Sequence, residues 1–428
     1  MNEKTMSSLV ERDRKVIWHP YSQHGLNRAI LPVASAQGAY LKLSDGREIL
    51  DAISSWWANI HGHSHPRIVK AIEKQSSTME HVIFSGFTHE PAVQLAETLV
   101  QYPPLSKIGM SRVFYSDNGS TAVEVALKMA YQFHANRGHK GRKRFIALKN
   151  SYHGDTLGAM AVSEPEGFHT VFRPLMPAVD FIDVGNLDQL QQLLDQSPES
   201  HAAFIFEPLV QGAAGMQIYD ASFLIDAVEL CRSKGVLTIA DEVFTGFFRT
   251  GKCFAFEHAR IKPDLVCISK GITGGFLPLA VTLATEEIFE AFVSQEIRTA
   301  FLHGHTYTAN PITCAAALES WEILQSSECR AKVELLTTLT QKHIEKFKDH
   351  SRVQSARCIG TIGAVELRAD QMNYFSSKTS SIMDFALERN VLLRPLGSVV
   401  YAVPPYCCTE QEISRIYQVM GELLDHTF

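Results

Sequence analysis

The chain has 428 residues, with 40 lysines and arginines against 46 acidic residues for a formal net charge of -6, and it is 45% hydrophobic and 20% charged. That balance is the signature of a soluble globular protein and leaves no polybasic surface for nucleic acid or anionic lipid, so the expected partners are small-molecule substrates, with no nucleic acid and no membrane. Eight cysteines at this length are too sparse for a disulfide scaffold and none of their spacings forms a metal-ligand set, so no metal is expected and a reducing cytoplasm is the simplest compartment.

In chain order, MNEKTMSSLVERDRK lacks the apolar core of a signal peptide, and no later run approaches the roughly 20 apolar residues that span a bilayer. Gly38 to Ala52 alternates around an Asp45-Gly46 turn, which predicts a hairpin. HPRIVKAIEKQSSTM then carries helical periodicity with Pro66 in the first turn. Beyond residue 90, helical patterns at Pro91 to Val100 and Ser120 to Asn136 alternate with short apolar runs, RFIALK, AAFIFEP, GVLTIAD and PDLVCIS. Alternation of this kind predicts an α/β fold with a mostly parallel, covered sheet whose ligands sit at the carboxyl ends of the strands. A long helical stretch from Cys314 leads into IGTIGAVELR, a helix through IMDFALERN, VLLRPLGSVVYAVPP and a last helix from Thr409, together a compact α+β unit. The expected division is residues 1–65 as an N-terminal segment joining the small domain and the active site, 66–328 as the large domain, and 329–428 as the small α+β domain.

Two predicted strand ends carry chemistry. Asp241 closes GVLTIAD, and Lys270 follows DLVCIS and precedes GITGG, a glycine-rich turn that suits backbone passing close to something bulky. A lysine stripped of water becomes nucleophilic as a neutral amine, and the bond it favours is a Schiff base. Its natural partner is pyridoxal 5'-phosphate, whose pyridine nitrogen needs a carboxylate to stay protonated, a task for Asp241. FYSDNGSTAVEVALKMA supplies a phosphate cradle, with a strand ending near Tyr115, a turn at Asp117-Asn118-Gly119 and a helix opening on Ser120. SYHGDT places Tyr152 where its ring can stack on a flat cofactor. No GxGxxG follows a first strand, which disfavours a nicotinamide dehydrogenase.

Asn118-Gly119-Ser120, YHGDT, Glu207-Pro208, ADEVFTGFFRTG, SKGITGG and HGHTYTANP occur in the order found in the fold-type I, class III pyridoxal-phosphate aminotransferases, and the chain resembles that family over nearly its whole length. The resemblance implies a large domain with a mixed, mostly parallel sheet covered by helices on both faces, plus the smaller α+β domain. It implies that Lys270 holds the cofactor covalently, Asp241 pairs with the ring nitrogen, Tyr152 packs on the ring, Gly119 and Ser120 bind phosphate, and Glu207 belongs to the same site. Thr306 would reach the phosphate of the neighbouring subunit, so the active unit would be a homodimer with its sites at the subunit interface.

The ends of the chain, WHPYSQ, SSWWANIHGHSHP and LLRPLGSVVYAVPPY, resemble family members whose acceptor is a long aliphatic keto-amine ending in a carboxylate. Trp56 and Trp57 would line its trough, Arg394 would anchor the carboxylate, Tyr21 and Tyr401 would frame the substrates with Tyr21 also catalytic beside Lys270 and Asp241, Arg249 would lie near the substrate head group and cofactor, and Gly304 would bind substrate. The donor implied is S-adenosyl-L-methionine, with L-lysine as the alternative; ornithine, 4-aminobutyrate and ω-amino acid:pyruvate transaminases share the cofactor residues. Three positions depart from the family pattern. Phe248 replaces a glycine and is expected to narrow or reshape access beside Arg249; Asn118 stands where serine is common; His305 replaces a proline.

Overall fold

The computed structural model describes residues 3–164, 168–368 and 377–426. Strands β1 (Val33–Gln37), β2 (Tyr40–Leu43) and β3 (Glu48–Asp51) form an antiparallel meander, and Gly46, at a φ of +93°, closes the β2–β3 hairpin. Next come β4 (Met110–Ser116), β5 (Arg144–Leu148), β6 (Val179–Ile182), β7 (His201–Phe206), the short pair β8 (Val210–Gln211) and β9 (Gln217–Ile218), β10 (Leu237–Asp241), β11 (Leu265–Ile268) and β12 (Ala280–Thr285). Seven of these build the central sheet, in the order β4-β12-β11-β10-β7-β5-β6. Strands β11, β10, β7, β5 and β6 run parallel, and β12 is antiparallel to both its neighbours.

The central strands are apolar throughout because both faces are covered. Ile239, Leu265 and Cys267 point into the core under the helix Gly119–Asn136. Their neighbours Ala240, Val266 and Ile268 point into the opposite core. An unbroken hydrophobic run thus follows from the period-two alternation of a strand packed on both sides.

After the helices Pro311–Gln325 and Ser327–Glu345, which meet at Ser326, the chain forms β13 (Val353–Ile359), β14 (Ile362–Leu367), β15 (Val391–Leu392) and β16 (Val399–Ala402). Strands β13, β14 and β16 make an antiparallel sheet, whereas β15 pairs in parallel with β3 and so joins the N-terminal meander to the C-terminal chain. The final helix, Glu410–Asp425, is closed at its start by a reciprocal cap between Thr409 and Glu412. Among the described residues no helix is long and apolar enough to cross a membrane, no cluster could hold a metal ion, and the eight cysteines are free.

Candidate active site

A cavity of about 480 Å³ opens where β10 and β11 end, lined among others by Gly119, Ser120, Tyr152, Glu207, Asp241 and Lys270. The parallel strands deliver these groups together because their carboxyl ends share one edge of the sheet.

On one wall, Asn118 caps the helix Gly119–Asn136: its Oδ1 accepts from the Thr121 amide at 3.1 Å, and Thr121 Oγ1 accepts from the Asn118 amide at 3.1 Å. The N-terminal amides of an 18-residue helix therefore face the cavity. Glycine at its first position lets the segment after Asp241 approach closely, since a Cβ on Gly119 would stand 2.6 Å from Val243 Cγ1. Gly154, at a φ of +132°, is equally restricted, because a Cβ there would overlap Ser120 Oγ.

Asp241 is buried with one partner on each carboxylate oxygen: Oδ2 lies 2.6 Å from His153 Nδ1, and Oδ1 accepts from the Val243 amide at 3.0 Å. His153 Nε2 is buried without a hydrogen-bond partner. Glu207 accepts from the amides of Tyr152 (3.1 Å) and Gly212 (3.0 Å), and burial pushes its carboxyl up to about 7. Lys270 sits in the left-handed region at a φ of +36°, with Nζ 5.2 Å from the centre of the Trp57 ring. Burial lowers its pKa, and the Asp241 and Glu207 carboxylates oppose that shift only in part.

This donor set fits pyridoxal phosphate. A helix N-terminus with a glycine cradle suits the phosphate, an oriented carboxylate suits the ring nitrogen, and an amine biased toward its neutral form suits the carbonyl.

Outward of Tyr152 and Trp57 the site continues as an aromatic and charged cluster. The Tyr21 and Tyr152 hydroxyls lie 3.0 Å apart, and Tyr21 Oη and Tyr152 Oη (2.9 Å) both donate to Asp155, which also accepts from His169 Nε2 at 3.2 Å. Trp56 packs with its ring centre 5.3 Å from that of Tyr21, and the Arg394 guanidinium lies 4.7 Å from the Trp56 ring centre. The two tryptophans are carried by one turn of left-handed helix. Ser54, Ser55, Trp56 and Trp57 have φ of +50°, +43°, +75° and +73°. Left-handed backbone costs L-residues about 1–2 kcal/mol each, so this turn persists only because its surroundings hold it.

Some expected site residues lie elsewhere. Tyr401 is 1% exposed and stands behind Trp57, whose Nε1 donates to its hydroxyl at 3.2 Å. Arg249, also 1% exposed, is not on the cavity wall: its guanidinium donates to the carbonyls of Pro404 (2.8 Å) and Trp57 (3.1 Å) and lies over the Tyr406 ring. Both contact Trp57, which lines the cavity. Gly304 and Thr306 are exposed and do not line this cavity, although His305 between them stands at its rim, with Nδ1 3.4 Å from Oδ2 of the lining residue Asp117.

Phe248 corrects an expectation. It is buried beneath the Arg330 guanidinium and does not line the cavity, so it leaves access beside Arg249 untouched. Its φ of +73° explains why glycine suits that position. His153, Asp155, His169 and the strained turn were not singled out by sequence reasoning. His153 and Asp155 flank Gly154 in the YHGDT motif, but no periodicity distinguishes them from structural polar residues.

The fold and site together define a fold-type I pyridoxal-phosphate-dependent enzyme. The model of the family "Aminotransferase class-III" matches residues 21–424. An adenosylmethionine-8-amino-7-oxononanoate aminotransferase from Synechococcus elongatus is 45% identical over 96% of this chain and 98% of its own length. The protein of that description from Mycobacterium leprae is 39% identical over 96% and 95%. Among solved structures, one so described from Methanocaldococcus jannaschii superposes with a TM-score of 0.91 at 36% identity, covering 97% and 99% of the two chains. The omega transaminase from Pseudomonas jessenii in complex with PMP gives 0.91 at 28% identity, covering 97% of each chain. The chain belongs to the class III aminotransferases and is a pyridoxal-phosphate-dependent aminotransferase.

Proposed function

We propose that this protein transfers an amino group from S-adenosyl-L-methionine to 8-amino-7-oxononanoate, giving 7,8-diaminononanoate, a step toward biotin. The observation that carries the reading is the wall built from Tyr21, Trp56 and Arg394 beyond the Lys270 cavity. An aromatic trough ending in a guanidinium matches an aliphatic chain ending in a carboxylate. The relatives described above carry names for the same reaction.

When bound, pyridoxal phosphate supplies a ring that withdraws electrons from the carbon losing its proton. The rest is done by the chain. Lys270 Nζ, biased toward the neutral amine, takes the proton from the donor's amine-bearing carbon, and in the second half-reaction returns one to the carbon that was the acceptor's ketone. Asp241, oriented by His153 and the Val243 amide, keeps a carboxylate at the ring nitrogen. The Gly119–Ser120 amides and Ser120 hydroxyl would hold the phosphate and Tyr152 would cover the ring, while Trp57 and Phe244, with ring centres 4.4 Å apart, exclude water. Arg394 fixes the acceptor carboxylate and Tyr21 closes the outer side. Because donor and acceptor use one site in turn, the kinetics are ping-pong. The active unit is a cytoplasmic homodimer in which Gly304 and Thr306 serve the partner's site, a reading supported by their exposure. Residues 1–65 and 329–428 form the small domain against the large domain 66–328, supported by the β3–β15 pairing.

The test follows absorbance near 420 nm in holoenzyme given S-adenosylmethionine, L-lysine, alanine or 4-aminobutyrate separately, then 8-amino-7-oxononanoate, with the diamine identified by mass spectrometry. Bleaching by S-adenosylmethionine and recovery with the keto-amine supports the proposal. Bleaching by lysine alone keeps the acceptor and replaces the donor. Response to only alanine or 4-aminobutyrate rejects the acceptor assignment.

A further inference from the structure

We infer that Asp51, remote from the reacting atoms, is a positioning residue for the acceptor wall: together with His63 it holds the left-handed Ser54–Trp57 turn that aims both tryptophans. The inference rests on the proposed reading of Trp56 and Arg394 as part of the acceptor site.

Asp51 ends β3 with its side chain fully enclosed. Its Oδ1 accepts from the Ile53 amide at 3.2 Å, and its Oδ2 accepts from Ser55 Oγ at 2.7 Å and from His63 Nε2 at 2.9 Å. One carboxylate therefore grips the residue before the turn and the second residue within it. His63 Nδ1 lies 2.7 Å from Asn59 Nδ2, so the ring accepts there and donates to Asp51, a neutral tautomer that satisfies both ring nitrogens. Burial drives the Asp51 carboxyl upward, but the hydrogen bonds from His63 and Ser55 outweigh it and hold the group below the usual aspartate value. Asn59 extends the clasp to the cavity, since a Cβ on Gly275 would stand 2.0 Å from its Oδ1 and Gly275 lines the site.

The backbone of the turn closes with Trp57 N to Ile53 O (2.7 Å) and Ala58 N to Ser54 O (3.0 Å), bonds that a right-handed turn could form equally well. Handedness must therefore be imposed from outside. Ser54 Oγ donates to Val403 O at 2.7 Å on one side, and Asp51 takes Ser55 on the other. Reversing the turn would swing Trp56 away from Tyr21 and Arg394.

The decisive variants are Asp51→Asn, His63→Gln, and each combined with Ser55→Gly, measured as holoenzymes. Asp51→Asn should raise KM for 8-amino-7-oxononanoate about tenfold while kcat stays within about threefold, the loss of one buried charge-assisted contact expressed as binding. The near-UV circular dichroism of the tryptophans should change in parallel. Glycine adopts positive φ without strain, so adding Ser55→Gly should recover most of both signals. A merely structural aspartate would lower stability without this KM shift, and glycine at position 55 would not restore it. Unchanged KM and tryptophan dichroism in Asp51→Asn, or failure of Ser55→Gly to restore them, overturns the inference. Should Asp51→Asn not fold, His63→Gln with and without Ser55→Gly carries the same expectation and the same refutation. If the wild-type enzyme rejects the keto-amine, the proposed reaction fails, while the dichroism of the four variants still decides the turn.

Discussion

Gly119→Ala is the sharpest perturbation of the cofactor cradle. The new Cβ would start 2.6 Å from Val243 Cγ1 and 3.2 Å from Cγ2, against an ordinary carbon contact of about 3.5–4 Å. Relief requires roughly 1 Å of movement by the first turn of the helix or by the segment after Asp241, whose carboxylate is anchored on the Val243 amide. Either movement spoils a group aimed at the cofactor. Overpacking of this size costs about 1–3 kcal/mol, and at tenfold per 1.4 kcal/mol it predicts roughly 5- to 150-fold weaker retention of pyridoxal phosphate. The assay is titration of cofactor-free protein, followed by absorbance and by the rise in melting temperature on binding. Val243→Ala removes both clashing methyls, so the double variant Gly119→Ala/Val243→Ala should regain most of the affinity. Wild-type affinity in the single variant, or no recovery in the double, would refute the claim that phosphate binding depends on this close approach.

Arg394→Ala should raise KM for the keto-amine about 10- to 150-fold, as expected for losing a charged hydrogen bond of about 1.5–3 kcal/mol; an acceptor analogue lacking the carboxylate should lose the distinction between variant and wild type in steady-state kinetics. Lys270→Ala abolishes turnover and Thr306→Ala weakens it. If Thr306 serves the partner's site, half of randomly mixed dimers carry one intact site, and refolding the two variants together should restore about a quarter of wild-type activity; activity no greater than the average of the separate variants would refute sharing. Glu242→Gln should flatten the pH dependence of stability. Burial drives the Glu242 carboxyl from 4.5 up to about 7, so the folded state holds a proton that the unfolded chain has released. Its stabilisation is complete below about 4.5 and lost as pH rises through about 7, a change of about 3 kcal/mol at 1.36 kcal/mol per unit. Thermal melts from pH 5 to 8 should show a shallower decline in the variant, with Glu207, similarly raised, still contributing in the same direction.

How much of this was legible in the sequence depended on whether a role is written in strand order or in tertiary contact. Asp241 and Lys270 were readable because each follows a short apolar run, and a covered parallel sheet turns such runs into neighbouring strand ends. The Gly119 cradle was readable as a turn that starts a helix. Asp241 and Glu242, adjacent in the chain, could not be separated by pattern alone. The strand's alternation sends Asp241 to the cavity and Glu242 inward, where Thr245 Oγ1 (2.5 Å) and the Phe256 amide (2.8 Å) bind it. One is placed for chemistry and its neighbour holds the loop that follows.

Arg249 and Trp56–Trp57 show where sequence reading stops. An arginine in a motif next to a catalytic strand suggests contact with substrate, yet the two terminal nitrogens of Arg249 donate to the carbonyls of Pro404 and Trp57. The tryptophan pair suggests a trough, but no residue in SSWW signals positive φ, because serine and tryptophan have no preference for it. Side-chain contacts make that conformation tolerable, from Asp51 and His63 nearby in the chain on one side and from the distant Val403 and Tyr401 on the other. Substrate choice in a shared cofactor scaffold can therefore reside in residues that touch neither substrate nor cofactor, and exchanging the tryptophans alone would transplant their side chains without the turn that aims them.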